Sequence, residues 1–263
     1  MITAAIRRYG DQMSCCRWSH VLSCRMRAVL MLAMVTILVS GCVPAAPSAP
    51  DGSQSPGSVA GPQGSSGGGG SARAALAALA VKGRAPRTGY DRALFGQAWA
   101  DVDRNGCDTR NDVLRRDLRP YVLKSGTKGC VVLSGTLHDP YSGQTIAFVR
   151  GRSTSSSVQI DHVVPLSDAW QKGAQQWTTP KRTALANDPL NLLAVDGPTN
   201  QHKSDGDAAT WLPPNKAYRC SYAARQIAVK AKYGLWVTGA EKDALTRILA
   251  GCPSERLPTA TSR

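Results

Sequence analysis

Two stretches in the second half of the chain decide its fold: "QIDHVVPL" at residues 159–166 and "NDPLNLLAVDGPTNQHKSD" at residues 187–205. The first stretch places branched apolar residues around an acid and a histidine, which predicts a strand that Pro165 ends. The second predicts another strand, and Pro198 predicts the start of a short helix. The predicted order is a strand, a connection of about 20 residues, a second strand and a helix. We expect these elements to enclose one hollow between a strand end and the helix start.

Five polar residues of these stretches supply what hydrolysis of a phosphodiester needs, and we expect them to converge in that hollow. A histidine with an ordinary pKa near 6.5 activates water at neutral pH, which makes His162 the general base. A hard divalent cation on oxygen ligands offsets phosphate charge, which makes Asp161 and Asn200 the metal ligands. Asn191 is the amide that orients or positions the base, and Lys203 is a cation for the phosphate. The expected cofactor is one divalent ion, Mg²⁺ or Mn²⁺.

Two arginines outside the hollow are candidate contacts for the nucleic acid backbone. Arg110 lies near a predicted helix start, where it would reach a phosphate or, alternatively, pair with a core acid. Arg182 lies in "RTALAN", which predicts a basic rim, although a solvated helix face is the ordinary interpretation of such a charge. Both stay candidates on the sequence alone.

Across the whole domain the patterns separate helices from strands, which indicates an α+β class. Helices are predicted over 73–82, 90–101, 108–120, 166–177, 179–187, 215–234 and 238–252. Strands are predicted over 130–139, 144–151, 156–165 and 189–196. Asp108 is the expected N-cap of the third helix, and Pro120 is its expected stop.

The segment "DVDRNGCDTRND" at residues 101–112 fits a calcium-binding loop in part. Asp108 stands where such a loop usually has an apolar residue, and Cys107 is expected to be cross-linked. We therefore favour a structural turn with a helix cap.

The N-terminus predicts export. Residues 1–41 hold basic residues, a run of twelve apolar or small residues and a final "VSG" before Cys42. This pattern predicts a lipoprotein-type signal with Cys42 lipidated and the protein anchored to the membrane. An ordinary signal peptide is the alternative, and Met26 is a candidate start.

The remaining chain divides by composition. Residues 42–72 carry the lipidated cysteine and a linker rich in Gly, Ser and Pro, which cannot bury enough apolar surface to fold. A single domain is expected over 73–253, and a disordered tail over 254–263.

Four cysteines remain in that domain, and export favours disulfides over free thiols. Cys220 and Cys252 lie at level positions of two helices joined by a turn, each about 21 Å from it at the α-helical rise. On geometry we favour Cys220–Cys252 and Cys107–Cys130 among the three pairings. The absence of any CxxC pair disfavours a zinc site.

The chain has a formal net charge of +14 at pH 7. Beyond the N-terminal 41 residues, 27 basic and 17 acidic residues remain, so the basic excess does not come from the signal alone. A basic excess favours a polyanionic partner such as nucleic acid.

The motifs together resemble a known family. "DHVVPL" followed by "NDPLNLLAVDGPTNQHKSD" resembles the signature of HNH endonucleases, which have a ββα-metal fold. "YDRALFGQAWADVDRNGCDTRNDVLRRDL" and "WLPPNKAYRC" resemble exported bacterial proteins whose domain is similar to the C-terminal domain of the GmrSD restriction enzymes. The resemblance implies a ββα-metal core within a mostly helical domain. Two departures from the family pattern are the missing CxxC zinc pairs and a longer inter-strand connection.

The resemblance also bears on the last metal ligand, which is Asn200 or, alternatively, His202. We favour Asn200 because Lys203 then falls at the offset that the family shows.

The predicted function is an exported, membrane-anchored, metal-dependent endonuclease acting on DNA, with RNA as another substrate to consider. No sequence-recognition element is evident, so we expect little sequence specificity. No obligate protein partner is indicated. The alternatives are a cell-surface nucleic-acid-binding lipoprotein with a silent HNH scaffold and, less favoured, a secreted toxin.

Overall fold

The computed structural model describes residues 70–262. The predicted signal, the predicted lipidation site Cys42 and most of the predicted linker lie outside the described residues. The helices are α1 (Ala72–Ala78), α2 (Thr109–Asp117), α3 (Leu166–Gln171), α4 (Thr179–Ala186), α5 (Gly197–Lys203), α6 (Arg219–Tyr233) and α7 (Gly239–Ala250). The strands are β1 (Leu118–Leu123), β2 (Val132–His138), β3 (Thr145–Val149), β4 (Val158–His162) and β5 (Leu192–Asp196). The predicted α+β class is confirmed.

Strands β4 and β5 and helix α5 form the strand–strand–helix unit expected from the two opening stretches. The strands pair antiparallel, with Asp161 opposite Leu193 and His162 opposite Leu192. Asp196 ends β5 and caps α5 by accepting a hydrogen bond of 2.9 Å from a backbone amide in its first turn. Helix α5 packs against both strands. It begins beside the start of β4, where Val158 pairs with Asp196, and its last residue, Lys203, reaches the His162 carbonyl group at the end of β4.

Strands β1, β2 and β3 form a separate antiparallel sheet in that order. Strands β2 and β3 confirm two of the predicted strands, whereas β1 was not predicted. Its Pro120 indicates a helix stop in the sequence, but an edge strand tolerates proline because no ladder hydrogen bond is lost there. Leu137 and Phe148 of this sheet share one apolar cluster with Ile160 and Leu192, so the sheet supports the strands of the unit.

The predicted helix over 90–101 is wrong. Only Arg92–Phe95 are helical, as one short 3-10 turn. The turn ends at Gly96, whose φ of 81° lies in the left-handed region that favours glycine. The helix predicted from Asp108 does begin there, because this side chain accepts a hydrogen bond of 2.8 Å from an amide of the first turn. Helix α2 gives way to β1 after Asp117.

The acidic segment ahead of α2 bonds to its own backbone. Asp101 accepts hydrogen bonds from the amides of Asn105 (3.1 Å) and Gly106 (2.9 Å). The Asn105 side chain donates to Asp103 at 3.0 Å and to Asp112 at 3.2 Å. These contacts support the structural turn over the calcium loop.

Both predicted disulfides are confirmed. Cys107 and Cys130 are joined with a Cα–Cα distance of 5.1 Å, and Cys220 and Cys252 with one of 6.4 Å. The second bond ties the start of α6 to the region after α7. Gly234, with φ of 71°, ends α6, and a short connection leads to the capping box that starts α7.

The C-terminal residues beyond 253 pack on the domain. The Leu257 amide donates to the Gly70 carbonyl at 2.9 Å, and the Arg225 guanidinium group donates to the Ser262 carbonyl at 2.6 Å. This segment therefore forms part of the folded unit up to residue 262. Within residues 70–262, no helix has both the length and the apolar character needed to cross a membrane.

Candidate active site

A cleft lies where β4 ends, beside α5 and the 3-10 turn of Arg92–Phe95. Asp161, His162 and Asn200 all line it, together with Arg92. The side chains of neighbouring strand residues point to opposite faces of a sheet, which would separate Asp161 from His162. His162, however, is the last residue of β4. The cleft runs past this end, so both side chains reach it.

Asp161 is buried and held from two sides. One carboxylate oxygen accepts a hydrogen bond of 2.9 Å from Lys203 Nζ, and the other accepts one of 2.6 Å from the Tyr141 hydroxyl group. Burial, followed by the nearby Asp161 charge, raises the pKa of Tyr141 well above its usual value, so Tyr141 stays a donor. Each carboxylate oxygen keeps lone-pair capacity for a further ligand.

Lys203 is itself buried in the interior. Its ammonium group contacts Asp161 and donates to the His162 carbonyl group at 2.9 Å. The side chain is fully shielded from solvent. Lys203 therefore holds the carboxylate and the end of β4 together, and its charge is already paired.

The His162 ring has one defined tautomer. Its Nε2 atom lies 2.8 Å from the Ala186 carbonyl oxygen. A carbonyl only accepts hydrogen bonds, so Nε2 carries the hydrogen and Nδ1 of the neutral ring is a free base. The pKa of His162 is lowered to about 4. Burial is the largest cause, and the positive charges of Arg92 and Lys203 act in the same direction, whereas the hydrogen bond to Ala186 and the charge of Asp161 act against it.

Asn191 is buried and bonds to backbone groups. Its Oδ1 atom accepts a hydrogen bond of 2.8 Å from the Val164 amide, and its Nδ2 atom donates to the carbonyls of Val164 (3.2 Å) and Leu185 (3.4 Å). Asn191 thus fixes the chain just after His162 against the end of α4. Its contacts position the backbone beside the imidazole rather than the imidazole itself.

Asn200 is half-buried in the cleft. Its Nδ2 atom donates to Gln159 Oε1 at 2.9 Å, which leaves Oδ1 available as a ligand atom. His202 is exposed and lines a different cavity, with Arg87 and Lys203. The structure therefore brings Asn200, and not His202, into the cleft of Asp161.

The donor set of the cleft fits a hard cation. A carboxylate oxygen of Asp161 and the amide oxygen of Asn200 are the oxygen donors that Mg²⁺ and Mn²⁺ prefer. Elsewhere in residues 70–262, one group of three His, Cys, Asp or Glu side chains is close enough to share an ion: Cys220, Cys252 and Glu255. Its two cysteines are consumed by a disulfide, so it offers no zinc site.

The two arginines considered from the sequence lie away from the cleft lining. Arg182 is buried, and its guanidinium group donates to the carbonyls of Leu94 (2.9 Å) and Trp177 (2.5 Å). Arg110 is half-buried, donates to the Val158 carbonyl at 3.3 Å and lies over the Trp99 ring. Their contacts are with the protein itself.

The sequence did not indicate two residues of the site, Arg92 and Tyr141. Arg92 is exposed, lines the cleft and lowers the pKa of His162 through its charge. Among residues 70–262, no acid forms an ion pair with its guanidinium group. Both residues lie far from the motif in sequence, and no local pattern marks either one.

Comparison with known proteins gives the class of the domain. Residues 108–248, more than half of the chain, match the family described as "GmrSD restriction endonucleases, C-terminal domain". The chain belongs to this family, and the resemblance noted from its sequence is confirmed. Membership identifies a nuclease-type domain.

A relative supports the same grouping. An "Uncharacterized secreted protein" of Arthroderma benhamiae is 42% identical over 174 residues, which cover 65% of this chain and 80% of the relative. The secreted relative and the two disulfides fit an extracellular protein.

Proposed function

We propose that this protein is an exported, metal-dependent endonuclease that hydrolyses phosphodiester bonds of DNA with little sequence specificity. The observation that carries the proposal is the fixed tautomer of His162, whose Nδ1 is a free base in the cleft that Asp161 and Asn200 also line. Family membership and the basic excess of the chain support a nucleic acid substrate.

Asp161 and Asn200 are the residues that would hold one Mg²⁺ or Mn²⁺. Such an ion, when bound, offsets the negative charge that develops on the phosphate and the leaving oxygen. Lys203 and Tyr141 hold the Asp161 carboxylate in place through their hydrogen bonds. These two bonds act as the outer support that orients a ligand.

His162 accepts a proton at Nδ1 from the attacking water. Its low pKa keeps the ring neutral and ready to accept at pH 7. The water oxygen forms a bond to phosphorus while the bond to the leaving oxygen breaks. Arg92 is exposed, lines the cleft and has no ion-pair partner within residues 70–262, so its guanidinium group would contact a non-bridging phosphate oxygen of the substrate.

The test is a cleavage assay with purified protein lacking the signal, on plasmid DNA, single-stranded DNA and RNA, with Mg²⁺ or Mn²⁺. A chelator is expected to abolish cleavage, and His162→Ala to lower the rate by about two to four orders of magnitude. The matched control is His138→Ala, because His138 is exposed on β2 and bonds only to Thr145 among the described residues. Full activity of His162→Ala contradicts the base assignment, and DNA binding without cleavage supports the silent scaffold.

The membrane anchor is a separate proposal that rests on the "VSGC" sequence around Cys42. Lipidation predicts that the protein partitions with membranes and that Cys42→Ser releases it into the medium. Wild-type protein found in the medium would favour the ordinary signal peptide.

A further inference from the structure

A second pocket adjoins the cleft at the catalytic histidine. It has a volume of about 240 Å³ and shares Arg92, His162 and Leu166 with the cleft. Its other walls come largely from the loop after the 3-10 turn and from the end of α4. A group bound there would lie directly beside the reacting phosphate.

One residue that lines this pocket has a polar atom without a partner. Asn187 is 1% exposed and lines the pocket. Its Nδ2 atom donates to the carbonyls of Thr183 (3.0 Å) and Gln97 (3.4 Å), which fixes the amide orientation. Its Oδ1 atom has no hydrogen-bond partner among residues 70–262. A buried polar atom without a partner is costly, so this acceptor calls for a ligand that donates to it.

The walls of the pocket are apolar and partly aromatic. Phe95, Leu166 and Trp99 contribute them. Trp99 has φ of 59°, a left-handed conformation that costs a bulky residue of order 1–3 kcal/mol. Strain of this kind clusters at binding sites, and here it sets the indole at the pocket wall.

We propose that this cavity is a base pocket, in which one unstacked nucleobase of the substrate lies against Trp99 while Asn187 Oδ1 accepts a hydrogen bond from its exocyclic amino group. The inference rests on the proposed function and adds a substrate preference to it. The group that the pocket would read is the amino group at C6 of adenine or at C4 of cytosine. Guanine and thymine have a carbonyl oxygen at these positions, because the amino group of guanine lies at C2 instead. The carbonyl would oppose the Asn187 acceptor.

The strand state of the substrate follows from the same geometry. A base in a duplex is stacked and its Watson–Crick edge is paired, so it must leave the helix to enter a pocket. Single-stranded or unpaired DNA avoids this cost. The base pocket therefore predicts faster cleavage of single strands than of duplexes.

The first experiment maps cut sites in a pool of random single-stranded DNA with Mg²⁺ or Mn²⁺. We expect adenine and cytosine to be enriched at one position next to the cut. At a preferred adenine site, replacing that adenine by purine, which lacks only the amino group, should slow wild-type cleavage about tenfold or more.

The second experiment tests whether the adenine amino group interacts with Asn187. In Asn187→Leu the adenine-to-purine change should have no effect, which a merely structural role of Asn187 would not produce. Ala98→Leu fills the pocket from an exposed wall residue and should remove the base preference if Asn187→Leu does not fold. Ala209→Leu, an exposed alanine of a distant cavity, is the matched control and should keep the wild-type preference.

Binding measured in chelator separates this proposal from the proposed function. Fluorescence anisotropy measures how tightly the adenine and purine oligonucleotides bind when no cleavage occurs. Discrimination in binding without any cleavage would retain the base pocket and reject the nuclease. Cleavage with no base preference, or an equal purine effect in wild type and Asn187→Leu, would overturn the base pocket.

Discussion

Two groups of charges, each largely buried, are arranged in opposite ways. The core cluster consists of three cations and three acids: Arg84, Lys172, Lys230, Asp168, Asp207 and Glu241. Lys172 lies at its centre, with Nζ at 2.7 Å from Asp168, 2.8 Å from Asp207 and 2.6 Å from Glu241. Burial alone would raise the pKa of Asp207, but Lys172 and the other cations lower it to about 2.

The cleft cluster consists of Asp161, His162, Asn200 and Lys203. Among residues 70–262 it contains one ion pair, Lys203 with Asp161, and no hydrogen bond engages His162 Nδ1 or Asn200 Oδ1. In the core cluster every carboxylate faces at least two cations, and both lysines are shielded from water. Paired charges join the elements of the fold, whereas ligand atoms left free are available for chemistry. We therefore expect core changes to alter stability and cleft changes to alter activity.

The largest expected effect is on stability. Lys172→Met removes the central cation and leaves three buried carboxylates short of a partner, which should lower the free energy of unfolding by about 3–5 kcal/mol. Chemical denaturation measures this loss. Lys124→Met, at an exposed position, is the control and should stay within about 0.5 kcal/mol of wild type. A small loss for Lys172→Met would remove the contrast between the clusters.

The next effect is on activity. Asn200→Ala removes a proposed metal ligand and one hydrogen bond, so cleavage should fall about a hundredfold while stability falls by less than about 1 kcal/mol. His202→Ala is the matched control on the same helix and should keep wild-type activity. The reverse pattern would make His202 the ligand.

The pH dependence of stability comes next. The folded pKa of His162 is about 4 against an ordinary 6.5, so the unfolded chain binds a proton that the folded chain does not. Stability should therefore fall as the pH drops below 6.5 and continue to fall until about 4, with a loss of about 2 kcal/mol at pH 5. Denaturation in chelator at pH 7 and pH 5 measures it. His162→Gln should show a flatter profile, and an equal slope in both proteins would contradict this assignment.

The smallest effect concerns the support of Asp161. Tyr141→Phe removes only the hydroxyl group that donates to the carboxylate, so the metal concentration for half-maximal cleavage should rise about tenfold. Tyr121→Phe, at an exposed position on β1, controls for the loss of a hydroxyl group. If Tyr141→Phe leaves the metal concentration for half-maximal cleavage unchanged, Tyr141 does not support the ligand and contributes only to packing.

Much of the fold was readable because its signals are local. Branched apolar residues predicted β4, and the apolar stretch "PLNLLAVD" predicted β5. Pro198 predicted the start of α5, and the level positions on two helices predicted the Cys220–Cys252 bond. The errors fell where the local signal pointed the wrong way. Pro120 predicted the end of a helix, but it lies in the edge strand β1. The residues around Gly96 favoured a helix, but the 3-10 turn ends at this glycine.

The sequence by itself determined the family, the strand–strand–helix unit and the candidate set Asp161, His162 and Asn200, because these residues lie in two stretches, 159–166 and 187–205, with clear local patterns. Only the tertiary structure decided which charges face water. It buried Lys203 and Arg182, brought Arg92 and Asn187 to the histidine, and brought Tyr141 to Asp161. Burial and contacts between distant segments depend on how whole elements pack, and periodicity along the chain carries no record of that packing.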